Sequence, residues 1–232
     1  MRIFAHRGAS GYEPENTLLA IKKALHMKVD AIEIDVHLCD GQLVLIHDHW
    51  VDKTTNGHGR VSQMSFTQLR LLDAGKNCQI PTLNEALELI AGQCSVNIEL
   101  KSAGTVELTL QAMQHAINHY GFSQQQFIVS SFDHHLIKHL KQLAPSYQIG
   151  ALTASCPIDY AAFASALNAY SVHVDFDVIS QAFVEDAHQR GLKVYVYTCD
   201  RQEDLIHLAK LKVDGVFANY PDQAKAILLA AK

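Results

Sequence analysis

Short apolar runs alternate along the chain with segments in which apolar residues recur every three or four positions. The first pattern is typical of buried strands and the second of amphipathic helices. Their regular alternation predicts a parallel sheet with helices outside it. Strands are predicted near residues 2–6, 31–36, 95–100, 126–130, 147–152, 170–174, 193–197 and 214–217. Eight such units favour a closed TIM (β/α)8 barrel over an open doubly wound sheet.

One part of the chain departs from this alternation. Asp40-Gly41 stands between two apolar runs, which is a strong hairpin signal and predicts an extra strand at 42–47, folded back above the barrel. Residues 49–81 then lack regular periodicity apart from a short helix near 66–72, so we expect a small insertion there that walls or covers the substrate cleft. Thr82 and Glu85 form a predicted capping box where regular structure resumes.

Length and composition narrow the functional classes. A chain of 232 residues with 48% hydrophobic content suits a single domain over 1–232 with a large core. The net charge of −5 and the lack of a Lys/Arg block disfavour nucleic acid and anionic membranes as partners. No apolar run has the length of a transmembrane segment. Five scattered cysteines indicate reduced thiols, and we expect a cytoplasmic protein. The oligomeric state stays open.

Acidic residues occur inside predicted strands. Glu33 and Asp35 are two positions apart in an apolar run, so both carboxylates lie on one face of the strand. Glu99 and Lys101 repeat this arrangement, and His6-Arg7 ends the first strand. Like charges on a buried strand are costly unless a cation separates them. Active sites of such barrels lie at the carboxyl ends of the strands, where these residues fall.

The residue types indicate metal-assisted chemistry on a phosphate ester. Carboxylate oxygens at Glu33, Asp35 and Glu99 suit one divalent cation, Mg²⁺ or Ca²⁺, better than zinc. Two histidines, His6 and His47, are able to exchange protons on both sides of phosphorus. Two cations, Arg7 and Lys101, would hold phosphate oxygens. The alternative is a set of structural ion pairs between these acids and these cations, but buried pairs are weak stabilisers and seldom recur at three strand ends.

Several nearby residues have two interpretations each. Asp48 either orients His47 through a hydrogen bond or begins the next turn. Phe132 and Tyr197 either form a wall against a small alcohol or pack in the core. Among the other histidines, His37 shares the face of Glu33 and Asp35 and His173 lies inside a strand, while His49 and His58 could border the cleft.

Several motifs, taken together, resemble the glycerophosphodiester phosphodiesterase family. They are Ala5-His6-Arg7-Gly8, Pro14-Glu15-Asn16-Thr17, Glu33-Ile34-Asp35-Val36, Leu45-Ile46-His47-Asp48, Ile80-Pro81-Thr82-Leu83, Ile98-Glu99-Leu100-Lys101, Ser130-Ser131-Phe132 and Asp214-Gly215-Val216-Phe217-Ala218-Asn219-Tyr220-Pro221. The resemblance implies a TIM barrel that cleaves glycerophosphodiesters to sn-glycerol 3-phosphate and an alcohol. It implies a divalent ion at Glu33, Asp35 and Glu99 and acid–base work at His6 and His47. By resemblance to related phosphodiester-cleaving barrels, His6 is the expected base and His47 the expected acid, and the reverse assignment stays open. The chain departs from the family pattern at Tyr197, Asp200 and Asn219, where the family usually has Trp, Asn and Asp.

Four further questions stay open. A lysophospholipase D or a phospholipase C-like phosphodiesterase could use the same barrel, although no clear apolar or basic rim is visible in the sequence. A barrel that binds phosphodiesters without cleaving them is a non-enzymatic alternative. The attacking group is either a substrate hydroxyl beside the phosphate, which would give a cyclic intermediate, or water. The alcohol headgroup is not specified by the sequence.

Overall fold

The strands form a closed barrel in the computed structural model, which describes residues 1–230. Eight of them are parallel neighbours around the barrel, and pairing of the first strand with both the second and the last closes it. The strands are β1 (Arg2–Ala5), β2 (Ala31–Cys39), β3 (Gln42–Leu45), β4 (Ser95–Leu100), β5 (Phe127–Ser131), β6 (Gln148–Thr153), β7 (Ser171–Asp175), β8 (Lys193–Tyr197) and β9 (Gly215–Ala218). Only β3 among them lies outside the barrel. The predicted TIM (β/α)8 architecture is confirmed.

Helices connect successive barrel strands and cover the outside. They are α1 (Leu18–His26), α2 (Phe66–Arg70), α3 (Leu83–Ile90), α4 (Val106–His119), α5 (His134–Leu143), α6 (Ala162–Ala166), α7 (Gln181–Gln189), α8 (Gln202–Leu211) and α9 (Pro221–Ala230). The predicted capping box at Thr82 and Glu85 starts α3, and each side chain accepts a hydrogen bond from the other residue's backbone N–H. Within residues 1–230, no helix combines the length and apolar character needed to cross a bilayer.

The predicted hairpin extends β2 beyond the barrel. Strand β3 pairs antiparallel with Val36–Cys39 of β2, and both turn residues, Asp40 and Gly41, adopt positive φ. The extra strand was expected over 42–47 but ends at Leu45, because its partner β2 enters the barrel at Val36 and offers no further free edge. His47 therefore lies in the bend that follows β3 and not in a strand.

The predicted insertion has its own small hydrophobic cluster beside the hairpin. It contains two short 3₁₀ turns, Val51–Lys53 and Val61–Gln63, and helix α2, which is shorter than the predicted 66–72. The cluster consists of Cys39, Val44, Ile46, Val51, Val61, Leu69, Ala74 and Ile80. This packing makes the segment an ordered attachment above one side of the barrel.

Two further cores lie outside and inside the barrel. The large one fills the space between strands and helices. The smaller one lies within the barrel, where the ring of Phe4 contacts Tyr195 and Phe217 at centroid distances of 4.8 and 4.7 Å. Other strand residues buried nearby are polar, among them Asn97 and His173. The barrel interior therefore combines an aromatic cluster with buried polar side chains, and the polar side chains border the site at the barrel mouth.

Candidate active site

Three carboxylates meet on adjacent strands. Asp35 of β2 is in register with Glu99 of β4, and Glu33 is two positions earlier on the same face of β2. One oxygen from each of the three lies within 4.8 Å of the others. Their side chains are almost fully buried, with Glu33 2% and Asp35 1% exposed. Strand register alone thus creates a dense patch of buried negative charge.

The loop after β1 brings Arg7 against this patch. Arg7 adopts φ of 55°, a conformation that costs energy for a residue with a Cβ, and its backbone N–H donates to Oε2 of Glu33 at 2.8 Å. Its guanidinium lies 3.3 Å from Asp35 and donates to Glu15 at 2.7 Å. Gly8, with φ of 80°, lets the same loop pass Ala20 at a distance that no Cβ would allow. The loop therefore aims both a backbone donor and a cation at the carboxylates.

A second cation comes from the residue directly after β4. Lys101 Nζ donates to Glu99 Oε1 at 2.6 Å and lies 3.7 Å from Asp35 Oδ1. Its backbone N–H bonds the carbonyl of Val36, which fixes the chain at the strand end. The two cations flank the carboxylate cluster from neighbouring loops.

The charges in this cluster do not balance. Arg7 is shared between Asp35 and Glu15, and Lys101 faces Glu99 and Asp35, so Glu33 has no cationic side chain of its own. Oε1 of Glu33 and Oδ1 of Asp35 are buried without a hydrogen-bond partner. Buried carboxylate oxygens without partners are costly, and a divalent cation offsets that cost. The donor set therefore fits Mg²⁺ or Ca²⁺.

The pKa values of the three acids diverge for the same reason. Burial, then repulsion by Asp35 and Glu99, raises the pKa of Glu33 well above its usual value. Burial and Asp35 raise the pKa of Glu99 to about 7. Burial opposes ionisation of Asp35 too, but Lys101 and Arg7 outweigh it and lower its pKa. Without a cation, the cluster therefore resists full ionisation at neutral pH.

His6 follows β1 and faces the same space. Its Nδ1 is 2.8 Å from Oδ1 of Asn219, which directly follows β9. Nε2 is the ring nitrogen that takes no part in this contact. Burial, reinforced by the nearby Arg7 charge, lowers the pKa of His6 to about 4. The imidazole is accordingly neutral at physiological pH.

His47 reaches the site from the hairpin. Its Nδ1 is 2.5 Å from Oδ1 of Asp48, and Lys53 approaches the other oxygen of Asp48 at 3.4 Å. Burial lowers the pKa of His47, although Asp35 and Asp48 oppose that shift. The ring Nε2 of His37, which is 3% exposed, is 3.1 Å from the backbone carbonyl of His47 and holds the bend in place.

Most of these side chains line one cavity of about 180 Å³ at the barrel mouth, whereas Asp35 and Lys101 lie outside its lining. Its aromatic wall is formed by Phe132 and Tyr197, whose rings meet edge to face at a centroid distance of 6.0 Å. Tyr197 donates its hydroxyl hydrogen bond to the carbonyl of Thr153, and Lys101 Nζ is 5.9 Å from the Phe132 ring centroid. The cavity is lined by His6, Arg7, Glu33, His47, Asn97, Glu99, Phe132, Leu152, His173, Tyr197, Thr198 and Phe217.

The four histidines whose place was open in the sequence differ in how close they lie to the cavity. His173 lines the cavity, and His37 lies beside it under His47. His49 is near this group, with its ring 4.9 Å from that of His37. His58 is exposed and pairs with Asp52 in the insertion, at 3.1 Å.

Asn16 and Asn219 are site residues that the sequence patterns did not predict. Asn16 holds Asp35 twice, through Nδ2 to Oδ2 at 2.8 Å and through Oδ1 to the backbone N–H at 3.1 Å. Its signal was its position in the motif Pro14-Glu15-Asn16-Thr17. Asn219 contacts His6 from 213 residues away, and no local pattern predicts that contact.

The barrel and the position of this cluster define a class. Polar and charged side chains gathered at the carboxyl ends of parallel barrel strands are the arrangement of a TIM-barrel enzyme.

Comparison with known proteins identifies the family. The glycerophosphoryl diester phosphodiesterase family model matches residues 6–223, and the chain belongs to this family. It is 37% identical over 230 residues to a glycerophosphodiester phosphodiesterase of Caldanaerobacter subterraneus subsp. tengcongensis, covering 95% of this chain and 94% of the relative. A Bacillus subtilis glycerophosphodiester phosphodiesterase is 31% identical over 243 residues, covering 94% and 83%.

A solved structure gives the same fold. A phosphodiesterase of Oleispira antarctica, solved in complex with the product sn-glycerol-3-phosphate, superimposes with a TM-score of 0.90 at 29% identity, covering 98% of this chain and 96% of its own. The protein is therefore a phosphoric diester hydrolase of the glycerophosphodiester phosphodiesterase class, and the expected enzymatic activity is confirmed.

Proposed function

We propose that the cavity at the barrel mouth hydrolyses small glycerophosphodiesters to sn-glycerol 3-phosphate and an alcohol, with one divalent cation and two histidines. The observation that carries this proposal is a cavity lined by two imidazoles, Arg7 and the carboxylates of Glu33 and Glu99. Asp35 and Lys101 contact this lining, through Arg7 and Glu99 respectively. The product bound by the Oleispira antarctica relative supports the choice of substrate. In this proposal the chain is a single domain over 1–232, and that domain supplies every residue of the site.

Glu33, Asp35 and Glu99 would hold the cation. When bound, it supplies positive charge that stabilises the phosphoryl oxygens in the transition state and acidifies hydroxyl groups. Arg7 and Lys101 are anchored on the carboxylates, so their remaining N–H donors are pre-positioned for phosphoryl oxygens. Preorganised donors of this kind need no rearrangement as charge develops.

His6 serves as the base in this proposal. Its low pKa keeps it neutral at physiological pH, and Nε2 is free to take the proton of the attacking group. His47 serves as the acid and delivers a proton to the oxygen of the departing alcohol. Asp48 orients its ring through Nδ1 and stabilises the protonated form.

Two routes are open for the attack on phosphorus. In the first, the substrate hydroxyl beside the phosphate attacks, the bond to the alcohol breaks, and water then opens the cyclic glycerol phosphate. This intramolecular route gains greatly from proximity. In the second, water attacks directly. His6 accepts the proton in either case.

The aromatic wall favours a small alcohol. Phe132 and Tyr197 border a cavity of about 180 Å³, and the phosphate and the glycerol already need much of that volume. An acyl chain of a lysophospholipid would have to lie outside it. Hydrolysis of lysophosphatidylcholine at rates comparable to glycerophosphocholine would replace this proposal by the lysophospholipase D alternative.

One assay tests the function. Release of glycerol 3-phosphate is measured from a panel of glycerophosphodiesters, with Mg²⁺, Ca²⁺ and Mn²⁺ and with a chelator. We expect turnover that requires a divalent cation. We also expect choline release from lysophosphatidylcholine, whose glycerol carries an acyl chain, to be much slower than from glycerophosphocholine. Full activity in the chelator would contradict the role of the carboxylate cluster.

A further inference from the structure

The side chain of Asn219 links two groups with different hydrogen-bonding needs. Its Nδ2 donates to Oδ2 of Asp200 at 2.7 Å. Its Oδ1 is 2.8 Å from Nδ1 of His6 and also accepts from the hydroxyl of Ser10 at 2.8 Å. The three residues come from the loop after β8, the end of β9 and the end of β1.

The orientation of this amide is dictated by Asp200. The carboxylate is held by the backbone N–H groups of Asn219 and Tyr220, which donate to Oδ1 at 2.8 and 3.2 Å. An ionised carboxylate only accepts hydrogen bonds, so the Asn219 atom that faces it has to be the NH₂ group. The amide oxygen is then turned toward His6 and Ser10.

An amide oxygen likewise only accepts, so the proton of neutral His6 has to reside on Nδ1. The lone pair is then on Nε2, the nitrogen that a base uses. We infer that Asp200 and Asn219 form a positioning relay that fixes the Nδ1–H tautomer of His6 and so makes His6 a base. The role of His6 as a base rests on the proposed function. The assignment of the tautomer rests only on the hydrogen bonds.

Asp200→Asn should reverse the relay. The two backbone N–H groups keep Oδ1 of the new amide as their acceptor, so its NH₂ faces Asn219. The side chain of Asn219 must then turn its oxygen toward residue 200 and its NH₂ toward His6. Nδ1 of His6 becomes an acceptor, and the proton moves to Nε2, where the lone pair is lost.

The double variant Asp200→Asn with Asn219→Asp should restore it. The amide at position 200 donates to the carboxylate at position 219, which accepts from Nδ1–H of His6 and from Ser10. The matched control is Asp204→Asn, which removes the same charge one helical turn further along without a hydrogen bond to Asn219.

The experiment combines ¹⁵N NMR of the histidine rings with steady-state kinetics on glycerophosphocholine in Mg²⁺. The His6 signals are assigned by their loss in His6→Gln. In the unmodified enzyme and in the control we expect the unprotonated ring nitrogen to be Nε2. In Asp200→Asn we expect it to be Nδ1, with kcat lower by about 10²–10⁴-fold, the range for one proton-transfer group, and KM little changed. The double variant should regain the original tautomer and most of the lost kcat.

Each outcome is decisive. Retention of the Nδ1–H tautomer in Asp200→Asn overturns the relay, whatever the activity. A double variant that folds and keeps the Nε2–H tautomer also overturns it. A tautomer that switches while kcat stays within about twofold supports the relay and removes His6 from the role of base, which separates failure of this inference from failure of the proposed function.

Discussion

The backbone N–H of Arg7 donates to the side chain of Glu33 across 2.8 Å and so ties the end of the first barrel strand to a carboxylate of the second. This bond satisfies Oε2 of Glu33, whereas Oε1 is buried without a partner. One half of the carboxylate is therefore structural, and the other half is available as a ligand.

Glu33→Gln should separate these two halves. The amide oxygen keeps the bond from Arg7, and the buried negative charge disappears. Because burial and repulsion raise the pKa of Glu33, its ionisation costs stability above its unfolded pKa, so the cation-free variant should be at least as stable as wild type at neutral pH. Wild type should gain about 2.7 kcal/mol when the cation is at about 100 times its Kd, and the variant much less.

Thermal unfolding with Mg²⁺, Ca²⁺ or chelator measures this difference, and Glu107→Gln on the exposed face of α4 is the control. Turnover by Glu33→Gln should be nearly abolished. Equal stabilisation of wild type and variant by the cation would place the metal elsewhere.

His47→Ala should show a dependence on the leaving group. A departing choline needs protonation, so its release should slow by about 10²–10⁴-fold. A nitrophenolate leaves without a proton, so that ester should be cleaved with a much smaller loss. Steady-state rates on the two substrates check this, with His6→Ala for comparison. Equal losses for His47→Ala refute the assignment of the acid, and the reverse pattern exchanges the two roles.

A substrate that lacks the hydroxyl beside the phosphate ester distinguishes the two routes of attack. If the cyclic route operates, this analogue should bind with similar affinity but turn over at least about 10²-fold more slowly, since proximity no longer helps the attack. The same reaction followed by ³¹P NMR should reveal a transient cyclic phosphate only with the parent substrate. Equal rates for the analogue and the parent would assign the attack to water.

His173 should make stability dependent on pH. It is fully buried, its Nδ1 has no hydrogen-bond partner, and burial lowers its pKa to about 3. Below its usual pKa the unfolded state binds a proton that the folded state does not, so this contribution to stability falls as the pH drops from about 6.5 toward 3. Between about pH 6.5 and pH 5 the loss should be about 1.6 kcal/mol, because half of the unfolded chains already carry this proton at pH 6.5.

His173→Gln removes this titration, so its free energy of unfolding should decline less over the same range. Denaturant unfolding at both pH values measures the difference, and His207→Gln on the exposed side of α8 serves as the control. Parallel declines for His173→Gln and wild type would contradict a neutral His173 in the fold.

The strands and the core of the site were predictable because their signals are local. Alternation places Glu33 and Asp35 on one face, and apolar runs locate the strands to within a few residues. Position at a strand end then suggested that Glu99, Lys101 and His6 would meet. The limits of these predictions also have local causes: β3 ends early because its partner enters the barrel.

The contact of Asn219 with His6 was beyond local reasoning. It depends on closure of the barrel between β1 and β9, which brings together residues 213 positions apart. His173 was ambiguous for a similar reason, because only the completed barrel decides which face of β7 is enclosed. A single asparagine or histidine carries no periodic signal that reveals such a partner.

The hairpin and the insertion have a consequence for partly unfolded forms of the enzyme. His47 and Asp48 belong to a segment with its own hydrophobic cluster, whereas the carboxylates, Arg7 and His6 belong to the barrel. A local opening of that segment would withdraw the acid and leave the rest of the site assembled. Such a form would still bind phosphodiesters and cleave activated esters. Conditions that speed hydrogen exchange at residues 42–81 should therefore lower turnover of substrates with poor leaving groups more than turnover of activated esters.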